Sequence, residues 1–144
     1  MSDQMKQPLY LIAHAFQACS IFLFLICLSQ KAYYLSGNHP PVDSLYLLLI
    51  GVFGLLDGIF AWYANPILFL SYLFFYIKRF NWAIILGAVA LLLMASFFLC
   101  KTMLVSENGA RAAIVGYGLG FWLWIGSSAV AIVAGSIGKA DQET

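Results

Sequence analysis

Charge is what this sequence has least of. Lysine and arginine number 7, aspartate and glutamate 6, so charged residues form 9% of the 144. An ordinary soluble domain carries roughly 25%. With 63% of residues hydrophobic and a mean hydropathy of +0.92, the polar side chains are too few to coat a water-facing surface. A bilayer removes that requirement, because hydrocarbon tolerates an apolar exterior. The net charge of +1 offers neither a basic face for nucleic acid nor an acidic tail.

Cysteine is scarce too. Cys19, Cys27 and Cys100 are the three present, with no C-x-x-C pair, which disfavours a thiol-oxidising membrane enzyme. Each sits in or beside an apolar run, where a thiol behaves as a small hydrophobe. Histidine occurs twice, at His14 and His39. His39 falls in a polar loop, so haem held between two intramembrane histidines is disfavoured. No phosphate-binding loop, metal-ligand spacing or nucleophile–base pattern stands out, so no cofactor, metal or catalytic residue is assigned and the expectation is a protein that is not an enzyme.

What is abundant is apolar sequence in long runs. A membrane span needs about 20 apolar residues at about 1.5 Å each. Four segments qualify, at about Leu9 to Ser29, Leu45 to Tyr63, Phe80 to Leu99 and Ala112 to Ile137. The first is too long for a signal core and lacks a small-x-small cleavage site after it, so it reads as a retained span. A loop rich in breakers, Ser36 to Ser44, separates the first two, and Asp43 or Ser44 suits an N-cap. Asn65-Pro66 ends the second, because the residue before proline is driven out of the α region.

The apolar stretch from Pro66 to Ile77 is too short to cross, so it reads as a half-helix at the interface or re-entering the membrane. Lys78-Arg79 closes it, and the loop from Lys101 to Arg111 precedes the last span. The expected fold class is therefore all-α. It is a polytopic membrane protein and one domain over 1–144, with four transmembrane helices plus a short interfacial or re-entrant half-helix.

With the N-terminus inside, Lys6, Lys78, Arg79 and Lys139 gather on the inner side against Lys31, Lys101 and Arg111 outside. This modest bias favours cytoplasmic termini.

Few residues invite a chemical reading. Asp57 falls within the second segment, where a carboxylate at a helix centre costs roughly 2.5–3.5 kcal/mol and commonly faces a partner or a proton path. Tyr10, His14 and Gln17 share a face of the first span at helical spacing, so His14 is a candidate partner for Asp57. With Asn65 these form a candidate intramembrane polar site: Asp57, His14, Gln17 and Asn65. Gly51, Gly54 and Gly58 recur at helical spacing as a smooth stripe, and Gly116 and Gly120 form a small-xxx-small face, both suited to close helix packing. Trp122 and Trp124, like Trp62 and Trp82, suit interfacial belts.

Two stretches carry a resemblance. Ala61-Trp62-Tyr63-Ala64-Asn65-Pro66, followed by a short apolar run and a basic pair, resembles a pattern in small four-span bacterial inner-membrane proteins. Gly120-Phe121-Trp122-Leu123-Trp124 at the start of a final span is similar to the same group. The resemblance covers about a third of the chain; it implies a bacterial inner membrane and four spans, and no activity.

Function is then expected to be non-enzymatic, exercised through contacts within the bilayer with another membrane protein or a second copy, as in an accessory subunit or an immunity-type protein. The second expectation is a small homo-oligomeric proton-linked transporter or channel using Asp57 and His14, with the break at Asn65-Pro66 as site pointer. Small multidrug transporters carry a glutamate in the first span, where this chain has His14 and Gln17.

Overall fold

The computed structural model describes residues 3–143, with side chains from Pro8 onward. It is mostly helical, and three helices are long and apolar enough to cross a membrane: Pro8–Leu28, Phe80–Leu99 and Leu119–Glu143. The first belongs to α1 (Asp3–Leu28), the second to α4 (Phe80–Ser96) with its 3-10 extension Phe97–Leu99, the third is α5 (Leu119–Glu143). Between them lie α2 (Ser44–Ile50) and α3 (Ala64–Tyr76), and four short strands, β1 (Lys31–Leu35), β2 (Val42–Asp43), β3 (Thr102–Leu104) and β4 (Arg111–Tyr117).

The strands correct the all-α expectation. Both polar loops fold, and they fold onto each other as one antiparallel sheet in the order β2-β1-β4-β3. Tyr33 pairs with Tyr117 and Leu35 with Ile114, while Met103 pairs with Ala112 across the β3–β4 hairpin. Residues 112–117 were expected to open the last span. Their apolar run is ambiguous by hydropathy alone, since a buried strand and a helix read alike. The β-branched pair Ile114-Val115 and Tyr117, flanked by Gly116 and Gly118, favour the strand. The helix therefore starts at Leu119 instead of Ala112.

The second correction concerns Leu45 to Tyr63, which is not one helix. It is α2, a 3-10 stretch Gly51–Asp57, and a 3-10 turn Ala61–Tyr63 leading into α3. Two glycines within four residues withdraw helix propensity, each by about 1 kcal/mol relative to alanine. Gly58, at φ +74°, then ends the 3-10 stretch in the left-handed region. Trp62 holds the fold-back together by donating its indole N–H to the Leu48 carbonyl at 3.0 Å. The half-helix expectation over 66–77 corresponds to α3, 13 residues long.

The sheet sits at one end of the bundle. There α1 ends, α4 leads into β3, and β4 leads into α5. Gly118 N–H donates to the Ala32 carbonyl at 2.8 Å and Ser44 N–H to the Gln30 carbonyl at 3.1 Å. At the far end the α3–α4 turn meets the tail of α5, where Gln142 Nε2 donates to the Lys78 carbonyl at 3.1 Å. That turn closes with Arg79 N–H on Phe74 O, and Lys78 takes φ +60°.

Small residues set the helix spacing. A Cβ at Gly87 would come within 2.9 Å of Ile132, and one at Gly135 within 2.9 Å of Ile84, so α4 and α5 lie nearly backbone to backbone. Three apolar clusters stack along the bundle. One lies under the sheet (Tyr33, Ile59, Phe97, Phe121), one in the middle (Phe24, Leu68, Tyr72, Met94), and one at the far end (Ala13, Phe75, Phe80, Ala134). The outward faces stay apolar: Leu11, Phe22, Leu92 and Leu99 are all well exposed.

Candidate functional site

The polar groups of the interior tie helices together at a single level. Ser20 Oγ donates to the Ser127 carbonyl at 2.6 Å, which uses its one hydrogen. Tyr72 must therefore donate the 2.9 Å bond between its hydroxyl and Ser20 Oγ. Ser128 Oγ donates to Gly87 O at 2.9 Å and Ser71 Oγ to Ala83 O at 2.7 Å. Each of α1, α3, α4 and α5 thus takes part in this layer. Gln17 is buried on α1 with no hydrogen-bond partner for its Nε2 among the described residues.

The four candidate polar residues do not converge. Asp57 lies at the end of the 3-10 stretch beside the sheet, where Arg111 of β4 reaches it. Arg111 Nη1 donates to Asp57 Oδ1 at 2.6 Å and Nη2 to Oδ2 at 2.9 Å, while Nε donates to Thr102 Oγ1 at 2.9 Å. This fork-on-carboxylate geometry is the strong form of an ion pair. Those bonds raise the guanidinium pKa further, so it stays charged.

His14 belongs to the other end. Its Nδ1–H donates to the Tyr10 carbonyl at 2.9 Å, and its ring meets Phe75 edge-on. Asn65, at the head of α3, accepts the Trp124 indole N–H on Oδ1 at 2.8 Å.

The glycine expectations divide as well. Gly51, Gly54 and Gly58 form no continuous helical stripe, because the segment is not one helix. Gly51 instead faces the Trp62 ring, Gly54 faces Ile59, and Gly58 has open space around it. Gly116 lies on β4 and Gly120 on α5, so they share no helical face. Gly120 does serve a close approach: a Cβ there would stand 2.9 Å from the Lys31 carbonyl oxygen and 3.2 Å from that of Cys27.

What the sequence did not announce is a cavity of about 500 Å3 beneath the sheet. It lies between the end of α1, the α2–3-10 hairpin, β1, β3 and the start of α5. Phe24, Leu47, Ile50, Phe53, Met103 and Phe121 are among its apolar walls, with Trp62 and Trp124 alongside. Asp57 and Asn65 also border it. The cavity arises from pairing two loops far apart in the sequence, Tyr33 with Tyr117 and Leu35 with Ile114, and from a hairpin break, neither of which leaves a local signal. The one available clue was the pair of glycines at 51 and 54.

Beside the cavity, burial in the sheet pushes the Tyr33 hydroxyl up to about 12, with the Tyr46 and Cys100 charges adding to it. The Cys100 thiol is also raised, first by burial and then by the nearby Asp57 charge. The three cysteines are free. Among the described residues no group of three or more histidine, cysteine, aspartate or glutamate side chains is placed to hold a metal ion. No family model, no curated protein and no solved structure matches this chain.

Proposed function

We propose that this chain is a multi-pass protein of a bacterial inner membrane that acts without catalysis, through contacts made inside the bilayer. Three crossings are α1, α4 and α5. The remaining one is composite: residues 44–76 run from the sheet end to the far end as α2, the 3-10 hairpin and α3. On this reading the second crossing of a four-span topology is a broken one, made of short pieces where a full helix followed by a half-helix was expected. The start of the bundle's first helix and the end of its last then share a side with Lys78, Arg79 and Lys139, and the small excess of basic residues there supports a cytoplasmic assignment for that side.

The observation that carries the proposal is the hairpin Ser44–Phe60. Leu49, Phe53, Leu56 and Phe60 are 69, 67, 88 and 54% exposed, on a segment too short to be a span in its own right. An exposed apolar patch of this kind marks a protein or membrane interaction surface, and because this segment is not a span, we read it as protein-facing. The partner is another membrane protein or a second copy of this chain. The transport reading has less support, since Asp57 and His14 lie at opposite ends and Asp57 is paired with Arg111.

Site-specific photocrosslinking in intact membranes tests this. A photoreactive residue at Leu56 should yield a discrete protein adduct, heterologous or dimeric. The same residue at Leu92, 71% exposed on α4, should yield none. Equal, adduct-free behaviour at both positions overturns the reading.

A further inference from the structure

We infer that the cavity beneath the sheet is a lipid site that takes one acyl chain of a bilayer phospholipid, its headgroup remaining outside. The inference rests on the membrane setting proposed above, though not on any protein partner.

At about 500 Å3 the cavity falls within the range of roughly 300–1,000 Å3 in which proteins hold single small molecules. Left empty, a void this large forfeits the dispersion contacts of every wall atom and destabilises in proportion to its volume. Water is a poor filler, because a buried water needs two to four polar partners. Several of the cavity's polar side chains are already engaged: the Trp124 N–H is bonded to Asn65, the Trp62 N–H to Leu48, and the Asp57 carboxylate to Arg111. The Ser44 hydroxyl is a lone buried group without a partner among the described residues, too little to hold a cluster of waters. A flexible hydrocarbon chain satisfies the walls without asking for hydrogen bonds.

The source of that chain follows from the lip. Tyr46 and Ile50 border the cavity and are themselves exposed, so beside the partner-facing Phe53 and Leu56 its edge still reaches the apolar outer surface that the helices present to lipid. An acyl chain enters from the bilayer without crossing a polar barrier. Phospholipid is the occupant because it is the bulk chain-bearing component of the bilayer onto which the cavity opens. The guanidinium beside Asp57 is engaged on Asp57 and Thr102, so it is not free to select a fatty-acid carboxylate. The Asp57–Arg111 pair fastens the hairpin to the sheet and so holds the cavity's wall in place.

Two measurements on the full-length protein test this. The first is mass-spectrometric counting of lipid after exhaustive detergent washing, expected to find one phospholipid per chain. The double variant Leu47→Phe with Ile50→Phe adds ring volume to two wall positions and should lower retention at least fivefold. The second uses Trp82→Phe with Trp122→Phe, leaving Trp62 and Trp124 as reporters beside the cavity. Reconstituted into phosphatidylcholine vesicles with brominated acyl chains, these two should be quenched, and adding the Leu47 and Ile50 changes should relieve the quenching. An unchanged near-ultraviolet dichroism spectrum shows that the filled protein is folded; if it is not, Leu47→Phe alone takes its place with the same expected direction. Retention or quenching indifferent to filling, no retained lipid, or recovery of free fatty acid or an isoprenoid instead overturns the proposal. Loss of the Leu56 protein adduct with lipid retention intact would count only against the partner reading.

Discussion

Arg111 closes both arms of its guanidinium on the two carboxylate oxygens of Asp57, across 54 residues of sequence. The contact joins the hairpin after α2 to the second strand of the β3–β4 hairpin, so it fastens a lateral wall of the cavity to the sheet above it. Its two side chains are 41 and 26% exposed, which places it at a hydrated rim and limits what it contributes to global stability.

The first prediction concerns that pair. Asp57→Asn and Arg111→Gln should each loosen the hairpin, and the double variant should be destabilised by less than the sum of the two. Denaturation midpoints in detergent and hydrogen exchange over residues 51–60 are the measurements. Additive effects would mean that the two residues act independently.

Two glycines four residues apart should behave differently. Gly120→Ala drives a methyl into the carbonyls of Lys31 and Cys27 and should cost roughly 1–3 kcal/mol, the usual range for overpacking. Gly116→Ala meets nothing closer than the Tyr34 ring at 3.8 Å and should be tolerated. Thermal unfolding of the two variants side by side checks this, and equal damage would restore the shared helical face expected from sequence.

Alkaline stability should report on Tyr33. Its hydroxyl ionises near 10 in the unfolded chain and is pushed to about 12 in the fold. The folded state therefore holds the proton longer. The stabilisation is complete below pH 10 and is lost between pH 10 and 12, by about 2–3 kcal/mol at 1.36 kcal/mol per pH unit. Tyr33→Phe should flatten that part of a stability–pH curve measured by denaturant titration. A curve as steep as that of the parent protein would assign the loss to other groups.

Asn65 is expected to matter through Trp124. Asn65→Ala leaves the indole N–H without its acceptor beside an apolar cavity, at a cost of roughly 1–3 kcal/mol. Trp124 emission, isolated by replacing the other three tryptophans with phenylalanine, should shift as that bond is lost. Unchanged emission and stability would show that the bond contributes nothing.

The half-helix shows how much local sequence can say. Lys78-Arg79 lies just beyond the end of α3, but Asn65-Pro66 does not break the helix as expected: α3 already begins at Ala64, with Asn65 helical and Pro66 in the first turn, where its missing N–H costs nothing. The second segment shows the limit. Hydropathy over Leu45 to Tyr63 is uniformly high, yet Gly51 and Gly54 weaken the helix enough for Trp62 to fold it back on itself. Asp57 read as an intramembrane charge only because its segment read as one straight helix.

The sequence by itself determined the long apolar helices and the existence of a short helix around Pro66 that ends before Lys78-Arg79. These follow from composition and from interactions within a few residues. Only the tertiary structure decided that two polar loops pair into a sheet, that Asp57 belongs to Arg111 and not to His14, and that a cavity lies between them. Strand pairing and ion pairing across tens of residues depend on how the helices bring distant backbone together, and no window of sequence contains that distance.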